Sequence, residues 1–162
     1  VLALPEVAAA STVAAYASLA SEPGTDQLLP ALEVRGIAVL LPVLQADRSL
    51  QWARHRPDNT QANSSGIAEP PAADADADAD ADARLLSTAS VVVCPGVAGD
   101  LHGHRLGRGG GSYDRALAEL RSSTLRCLLL YDDEVLDAVP TSPHDQRVDV
   151  IVTPRRTLRI SG

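Results

Sequence analysis

Four glycines in five positions, Gly107, Gly109, Gly110 and Gly111, constrain this chain more than any other feature. They lie within residues 104–115 (HRLGRGGGSYDR), between two segments of opposite character. Upstream, residues 89–95 (ASVVVCP) form an unbroken apolar run that reads as a buried strand. Downstream, Ala116, Leu117 and Leu120 recur at the spacing of one helix face across residues 113–121. Glycine tolerates positive φ and carries no Cβ, so such a turn can curl its N–H groups round an anion. The helix start adds the positive end of its dipole. Arg105, Arg108 and Arg115 add three forked guanidinium groups that match phosphate oxygens. Asp114, at the helix entry, is placed to hold a magnesium ion accompanying those phosphates. The segment reads as a polyphosphate cradle; the plain alternative is a glycine-rich turn with solvated arginines.

Two familiar cradles are excluded. A P-loop requires a lysine after its last glycine, and this chain contains no lysine. A dinucleotide fingerprint requires a third glycine where Ser112 stands, and belongs in the first βα turn.

The block GHRLGRGGGSYDRAL closely resembles the signature of the 5-formyltetrahydrofolate cyclo-ligase family, the methenyltetrahydrofolate synthetases. The resemblance extends to residues 16–29 (YASLASEPGTDQLL), 40–44 (LLPVL), 66–70 (GIAEP) and 139–154 (VPTSPHDQRVDVIVTP), in the family's order. The glycine-rich block is the specific part. The resemblance implies an ATP- and Mg²⁺-dependent conversion of 5-formyltetrahydrofolate to 5,10-methenyltetrahydrofolate, with ADP and phosphate released. In the family mechanism the formamide oxygen, a poor leaving group, attacks the γ-phosphate to give an N5-iminium phosphate. N10 then closes the ring and phosphate departs. Catalysis of this kind is mainly positioning and charge neutralisation.

The resemblance also distributes roles. Glu22 and Ala17 would lie against the folate, with Glu22 accepting hydrogen bonds from the pterin N–H groups. Arg105, Leu106, Gly107, Arg108, Gly109, Gly110, Gly111 and Ser112 would surround the β- and γ-phosphates, with Glu69 approaching the same end. Arg108 and Tyr113 would be catalytic, Tyr113 standing at the junction between γ-phosphate and formyl group. Asp114 and Asp145 would share the metal ion; Asp145 capping the turn into the last strand is the plain alternative. There are departures from the family pattern. Many members have a second tyrosine at Ser112, and a phenylalanine is common at Gly99. The family also carries an N-terminal basic helix that reaches ATP. This chain begins at Val1 and shows no counterpart, which leaves two readings open: an upstream portion preceding this sequence, or a full chain whose activity is in doubt.

At 162 residues, 45% of them hydrophobic, the chain is expected to form one domain (residues 1–162) with a real core. A net charge of −7 argues against a nucleic-acid surface. No segment reaches the ~20 apolar residues of a membrane span, and no signal peptide is visible. Cys94 and Cys127 sit in apolar runs, so buried free thiols in the cytoplasm are expected. The protein is read as a cytoplasmic monomer acting on a small molecule.

Taken in order, residues 1–10 read as the end of a helix and 12–16 as a strand. Thr25 is placed as the N-cap of a helix over 26–34, which Pro30 should kink. Residues 37–41 form a second strand, ended by Pro42. Trp52 suits a core or a surface strand, and His55, between Arg54 and Arg56, a solvated face. Residues 72–83 (AADADADADADA) form a low-complexity insertion whose carboxylates repel and whose alanines bury little. Strands are expected again at 87–93, 126–131 and 148–153. His102-x-His104 lacks a third ligand nearby and is not read as a metal pair. The alternation of strands and helices predicts a three-layer, Rossmann-like α/β domain with a mostly parallel sheet. Two rivals predict different partners: a non-catalytic folate or nucleotide binder, and an isomerase-like domain holding a sugar phosphate. An RNA-binding loop is a third.

Overall fold

A seven-stranded sheet dominates the computed structural model, which describes residues 1–56, 61–62, 68–69 and 84–160. The first elements are α1 (Pro5–Ala8), β1 (Thr12–Ala14), α2 (Leu28–Val34), β2 (Ala38–Leu44) and β3 (Leu50–Arg54). A short antiparallel pair, β4 (Gln61–Ala62) and β5 (Ala68–Glu69), precedes a helical turn, α3 (84–87). Then come β6 (Val91–Pro95), β7 (Ala98–Asp100), β8 (Arg105–Leu106), α4 (Ser112–Ala118) and β9 (Leu125–Leu129). A 3₁₀ turn (Asp132–Glu134), β10 (Val135–Leu136), β11 (Val150–Val152) and β12 (Thr157–Arg159) follow. The Asp-Ala insertion at 72–83 lies outside the described residues.

The large sheet runs β12-β11-β9-β6-β1-β2-β3. Its five inner strands are parallel; β12 and β3 run antiparallel to their neighbours. Strands covered on both faces need apolar residues at every position, which is why β6 reads VVVC without a polar interruption. Alternation then divides those residues between two cores. Val13, Val39, Val91, Val93, Leu129 and Val150 face α1 and α2, meeting Val7, Leu28, Leu29 and Leu32. Ala14, Leu40, Val92, Cys94, Leu128 and Ile151 face the other side, meeting Leu86, Ala116, Leu117 and Leu120. The result is the expected three-layer α/β fold, with thin helical layers.

The chain leaves central β1 for β2 and β3 on one side, then returns to β6, β9 and β11 on the other. The loops after β1 and β6 therefore diverge, opening a crevice at their carboxyl ends, where open α/β sheets place ligands. No helix among the described residues is long and apolar enough to cross a membrane.

Several local expectations are corrected. Thr25 is fully buried and does not cap α2, whose N-cap residue is Gln27. Its hydroxyl instead donates to the Tyr16 carbonyl (2.6 Å) and accepts the Ser18 N–H (3.0 Å). With the helix starting at Leu28, Pro30 falls in the first turn, where an N–H has no helical partner anyway. Strand β2 does not stop at Pro42 but runs to Leu44, paired there with β3. The β1–β2 ladder, however, ends with the Ala15 N–H on the Leu40 carbonyl, because Pro42 has no N–H to continue it. Ser87 belongs to α3, and the strand begins at Val91. His55 is not on a solvated face; its ring Nδ1 lies 2.7 Å from Glu33 Oε1, tying β3 to α2. Strand β12 was not expected, since its Thr-Leu-Arg sequence carries little strand signal.

Gly99, where the resembled family commonly has phenylalanine, is crowded. A Cβ there would lie 2.8 Å from Leu128 Cδ2 and 3.2 Å from Leu130 Cδ1, so the leucines occupy that space. Leu128 is fully buried, and Leu128→Ala is expected to cost about 2–5 kcal/mol in urea denaturation. Burial pushes the Cys94 thiol up to about 11 and the Cys127 thiol up to about 12. Folded pKa values above the unfolded ones mean that this stability is intact below about pH 8.5 and is lost as pH rises through the folded values. Denaturation under reducing conditions should therefore show unfolding free energy falling by roughly 4 kcal/mol between pH 8 and pH 10, about half from each thiol.

Candidate active site

One wall of the crevice grows from β6. After Gly96 the chain forms the β7–β8 hairpin, passes through residues 107–111 and enters α4. The hairpin is pinned by a buried carboxylate, Asp100. Its Oδ1 accepts the N–H groups of His102 (2.9 Å) and His104 (3.1 Å); its Oδ2 accepts the Val139 N–H (3.1 Å) and lies 3.0 Å from His104 Nδ1. Burial opposes ionisation of Asp100, but the His104 ring and the three N–H groups outweigh it and hold its pKa below the usual carboxylate value. The His-x-His spacing is thus explained locally: His104 partners Asp100.

Strand alternation turns Arg105 inward, so the three arginines of the cradle are not equivalent. The Arg105 side chain is 4% exposed, and its Nη2 donates to Asp114 Oδ2 at 2.8 Å. Its Nη1 reaches the Pro95 carbonyl (3.4 Å), and its Cζ stands 5.8 Å from the centre of the Tyr113 ring. Arg105 does line the cleft, yet its main partner is a carboxylate of the protein. Arg115 donates to the carbonyls of Arg48 (2.7 Å) and Gly110 (3.4 Å), staking the loop from outside. Arg108 alone of the three extends from the loop toward the opposite wall. Gly109 and Gly111 take φ of 86° and 64°, and Gly111 is the left-handed cap residue of α4. A side chain at either would be strained.

The opposite wall is the β1–α2 loop. Ser18 and Thr25 bond reciprocally, each N–H donating to the other's hydroxyl at 3.0 Å. Tyr16 donates to the Pro23 carbonyl (3.3 Å), and Tyr131, from beyond β9, donates to the Glu22 carbonyl (3.0 Å). The Glu22 side chain is 10% exposed; its Oε2 accepts the Leu19 N–H (2.9 Å) and its Oε1 lies 3.2 Å from Arg108 Nη2.

These walls enclose a cleft of about 960 Å³. Tyr16, Leu19, Pro42, Leu44 and Leu50 give it apolar surface, and residues 107–111 and Ser112 line it as well. Ala17, Glu22, Leu106, Tyr113, Asp114 and Asp145 also line it, so the cleft gathers predicted residues from three separate stretches of chain. Glu69 lies in β5, and its side chain is outside the described residues. Asp114 is oriented twice over, with Oδ2 held by Arg105 and Oδ1 accepting the Gln146 N–H (3.3 Å). Asp145 Oδ2 accepts the Ser142 N–H (2.7 Å), the turn-capping bond weighed as its plain alternative. Sequence reasoning missed Gln146, Tyr131 and the apolar wall. The run LLPVL was a partial signal for that wall, but nothing in the sequence marked Leu50 or Tyr131.

Two buried polar atoms in this cleft have no hydrogen-bond partner, Tyr113 Oη and Arg105 Nε. Burial raises the Tyr113 pKa well above its ordinary value, so the hydroxyl stays protonated and is a donor. The exposed Arg108, the Asp114 and Asp145 carboxylates and the unpaired donors suit a polyphosphate with a divalent cation, and the apolar side chains of the lining suit a flat ring.

Comparison with known proteins agrees with this geometry. The model of the 5-formyltetrahydrofolate cyclo-ligase family matches residues 1–154. A 5-formyltetrahydrofolate cyclo-ligase of Mycolicibacterium smegmatis is 38% identical over 150 residues, covering 90% of this chain and 74% of the relative. That of Escherichia coli is 30% identical, covering 94% and 82%. The solution structure of 5,10-methenyltetrahydrofolate synthetase from Aquifex aeolicus superposes with a TM-score of 0.79 at 28% identity, over 99% of this chain and 77% of that one. The Mycoplasma pneumoniae synthetase shares the fold at 19% identity, with a TM-score of 0.63. With the cleft, the loop and these relatives in agreement, the chain belongs to the 5-formyltetrahydrofolate cyclo-ligase family.

Proposed function

We propose that this chain converts 5-formyltetrahydrofolate to 5,10-methenyltetrahydrofolate, consuming ATP with Mg²⁺ and releasing ADP and phosphate. The observation that carries the reading is one cleft joining an arginine-bearing glycine loop, two carboxylates and a glutamate beside an apolar wall. ATP supplies the phosphoryl group that makes the formyl oxygen a competent leaving group. The chain's own task is positioning and charge neutralisation.

Arg108 and the N–H groups of residues 107–111 bind the phosphates, with Ser112 beside them. Asp114 and Asp145 hold Mg²⁺; Arg105 and the Gln146 N–H fix the direction of the Asp114 carboxylate. Arg105 therefore acts through Asp114 and only secondarily on phosphate. Leu106 shapes the floor beside it, and Glu69 is retained as a residue at the nucleotide end. Glu22 accepts N–H groups of the pterin, whose ring lies along Tyr16, Ala17, Pro42 and Leu44. Tyr113 donates its hydroxyl hydrogen to the formyl oxygen and thereby satisfies its own buried atom. Two buried free thiols support a cytoplasmic setting, and we read the working form as a monomer.

The direct test is absorbance-monitored formation of methenyltetrahydrofolate from 5-formyltetrahydrofolate with and without ATP–Mg²⁺; turnover that ignores ATP would overturn the proposal. Arg108→Ala and Asp114→Asn should each lower kcat/KM by about 100-fold or more, with an unchanged circular dichroism spectrum. Wild-type turnover by either at saturating ATP would refute the cradle. Tyr113→Phe should behave differently, slowing turnover at least ~10-fold while raising stability by about 1 kcal/mol, since it removes an unsatisfied buried hydroxyl.

A further inference from the structure

We propose that Arg108 and Glu22 form an exchangeable ion pair through which nucleotide and folate each favour binding of the other; this rests on the assignments under Proposed function. The two side chains come from opposite walls, the glycine loop and the β1–α2 loop, and meet across the cleft with Arg108 Nη2 3.2 Å from Glu22 Oε1. The same nitrogen donates to Ser21 Oγ at 3.2 Å. In this arrangement the arginine assigned to phosphate and the glutamate assigned to pterin satisfy one another.

The geometry sets ligand and arginine in competition. Glu22 Oε2 accepts the Leu19 N–H and Oε1 faces Arg108, so a pterin N–H arriving at Oε1 meets the side from which the guanidinium already approaches. Tyr131 holds the Glu22 main-chain carbonyl and the Leu19 N–H holds Oε2, so backbone and carboxylate are each anchored on this wall. Arg108 is the movable partner. Its side chain is 57% exposed, against 10% for Glu22, and it stands between Gly107 and Gly109. A polyphosphate that draws Arg108 toward the loop frees Oε1 for a pterin N–H. A pterin that occupies Oε1 frees Arg108 for phosphate. Whichever ligand binds first bears the cost of breaking the pair, and the second does not. By linkage the gain is equal in both directions. A pair this exposed on the arginine side is weak, so the coupling should be about two- to fivefold in affinity.

Titration calorimetry on the whole chain tests this, using a non-hydrolysable ATP analogue with Mg²⁺ and 5-formyltetrahydrofolate, each alone and with the other at saturation. Each should tighten the other about two- to fivefold. Glu22→Gln should weaken folate binding, tighten the analogue by about the same two- to fivefold factor, and abolish the coupling. If the analogue affinity does not change, the exchange is overturned while the folate loss still supports Glu22 as a substrate residue. If folate affinity does not change, the assignment of Glu22 itself fails. Glu22→Gln placed in an Arg108→Ala background separates the exchange from simple repulsion between glutamate and phosphate. No tightening there is the expected result; tightening that persists would overturn the exchange.

Discussion

The Asp100 carboxylate, buried and met by three backbone N–H groups and an imidazole, is the constraint on which the functional half of the molecule depends. A buried charge is tolerable only when its lone pairs are occupied, and here each contact also fixes a piece of backbone. The contacts at His102 and His104 set the hairpin. The contact at Val139 draws in the segment that leads to Asp145 and Gln146. With those fixed, the alternation of β8 decides that Arg105 turns inward. Asp114 is then aimed by an arginine whose own direction was set nine residues earlier.

Arg105 marks the boundary between scaffold and chemistry. Its side chain is nearly as buried as the core leucines, yet its partner lines the cleft. Such a pair adds little net stability, because desolvating both ions offsets their attraction. What it contributes is direction, leaving Asp114 with one fixed orientation before any ligand arrives. The orphaned Arg105 Nε and Tyr113 Oη have the opposite character, since each is a buried cost that a ligand, a water or a changed rotamer would relieve.

Much of this was legible because it rests on local rules. Continuous apolar runs gave the parallel strands, and the periodicity of Ala116, Leu117 and Leu120 gave α4. The glycine loop stood out because few other chemistries need that composition. What escaped depends on partners distant in sequence. Thr25 looks like a helix cap until the Tyr16 carbonyl and Ser18 are brought beside it. His55 looks solvated until α2 presents Glu33. Pro42 looks like a strand end because the ladder with β1 does stop there, while β3 carries the strand on. Arg105 was read as equal to Arg108, since three arginines in a row of glycines do not reveal which one a two-residue strand turns inward.

The reciprocal bonds between Ser18 and Thr25, with Tyr16 and Tyr131 holding the carbonyls of Pro23 and Glu22, close the β1–α2 loop on itself. The ordering entropy of that wall is lost when the chain folds, so a ring entering beside it meets a preorganised surface. The facing wall, rich in glycine, is staked from outside by Arg115 and carries no side chains at four of its five positions, so backbone alone faces the cleft there. One wall offers side-chain shape, and the other offers backbone and a single arginine.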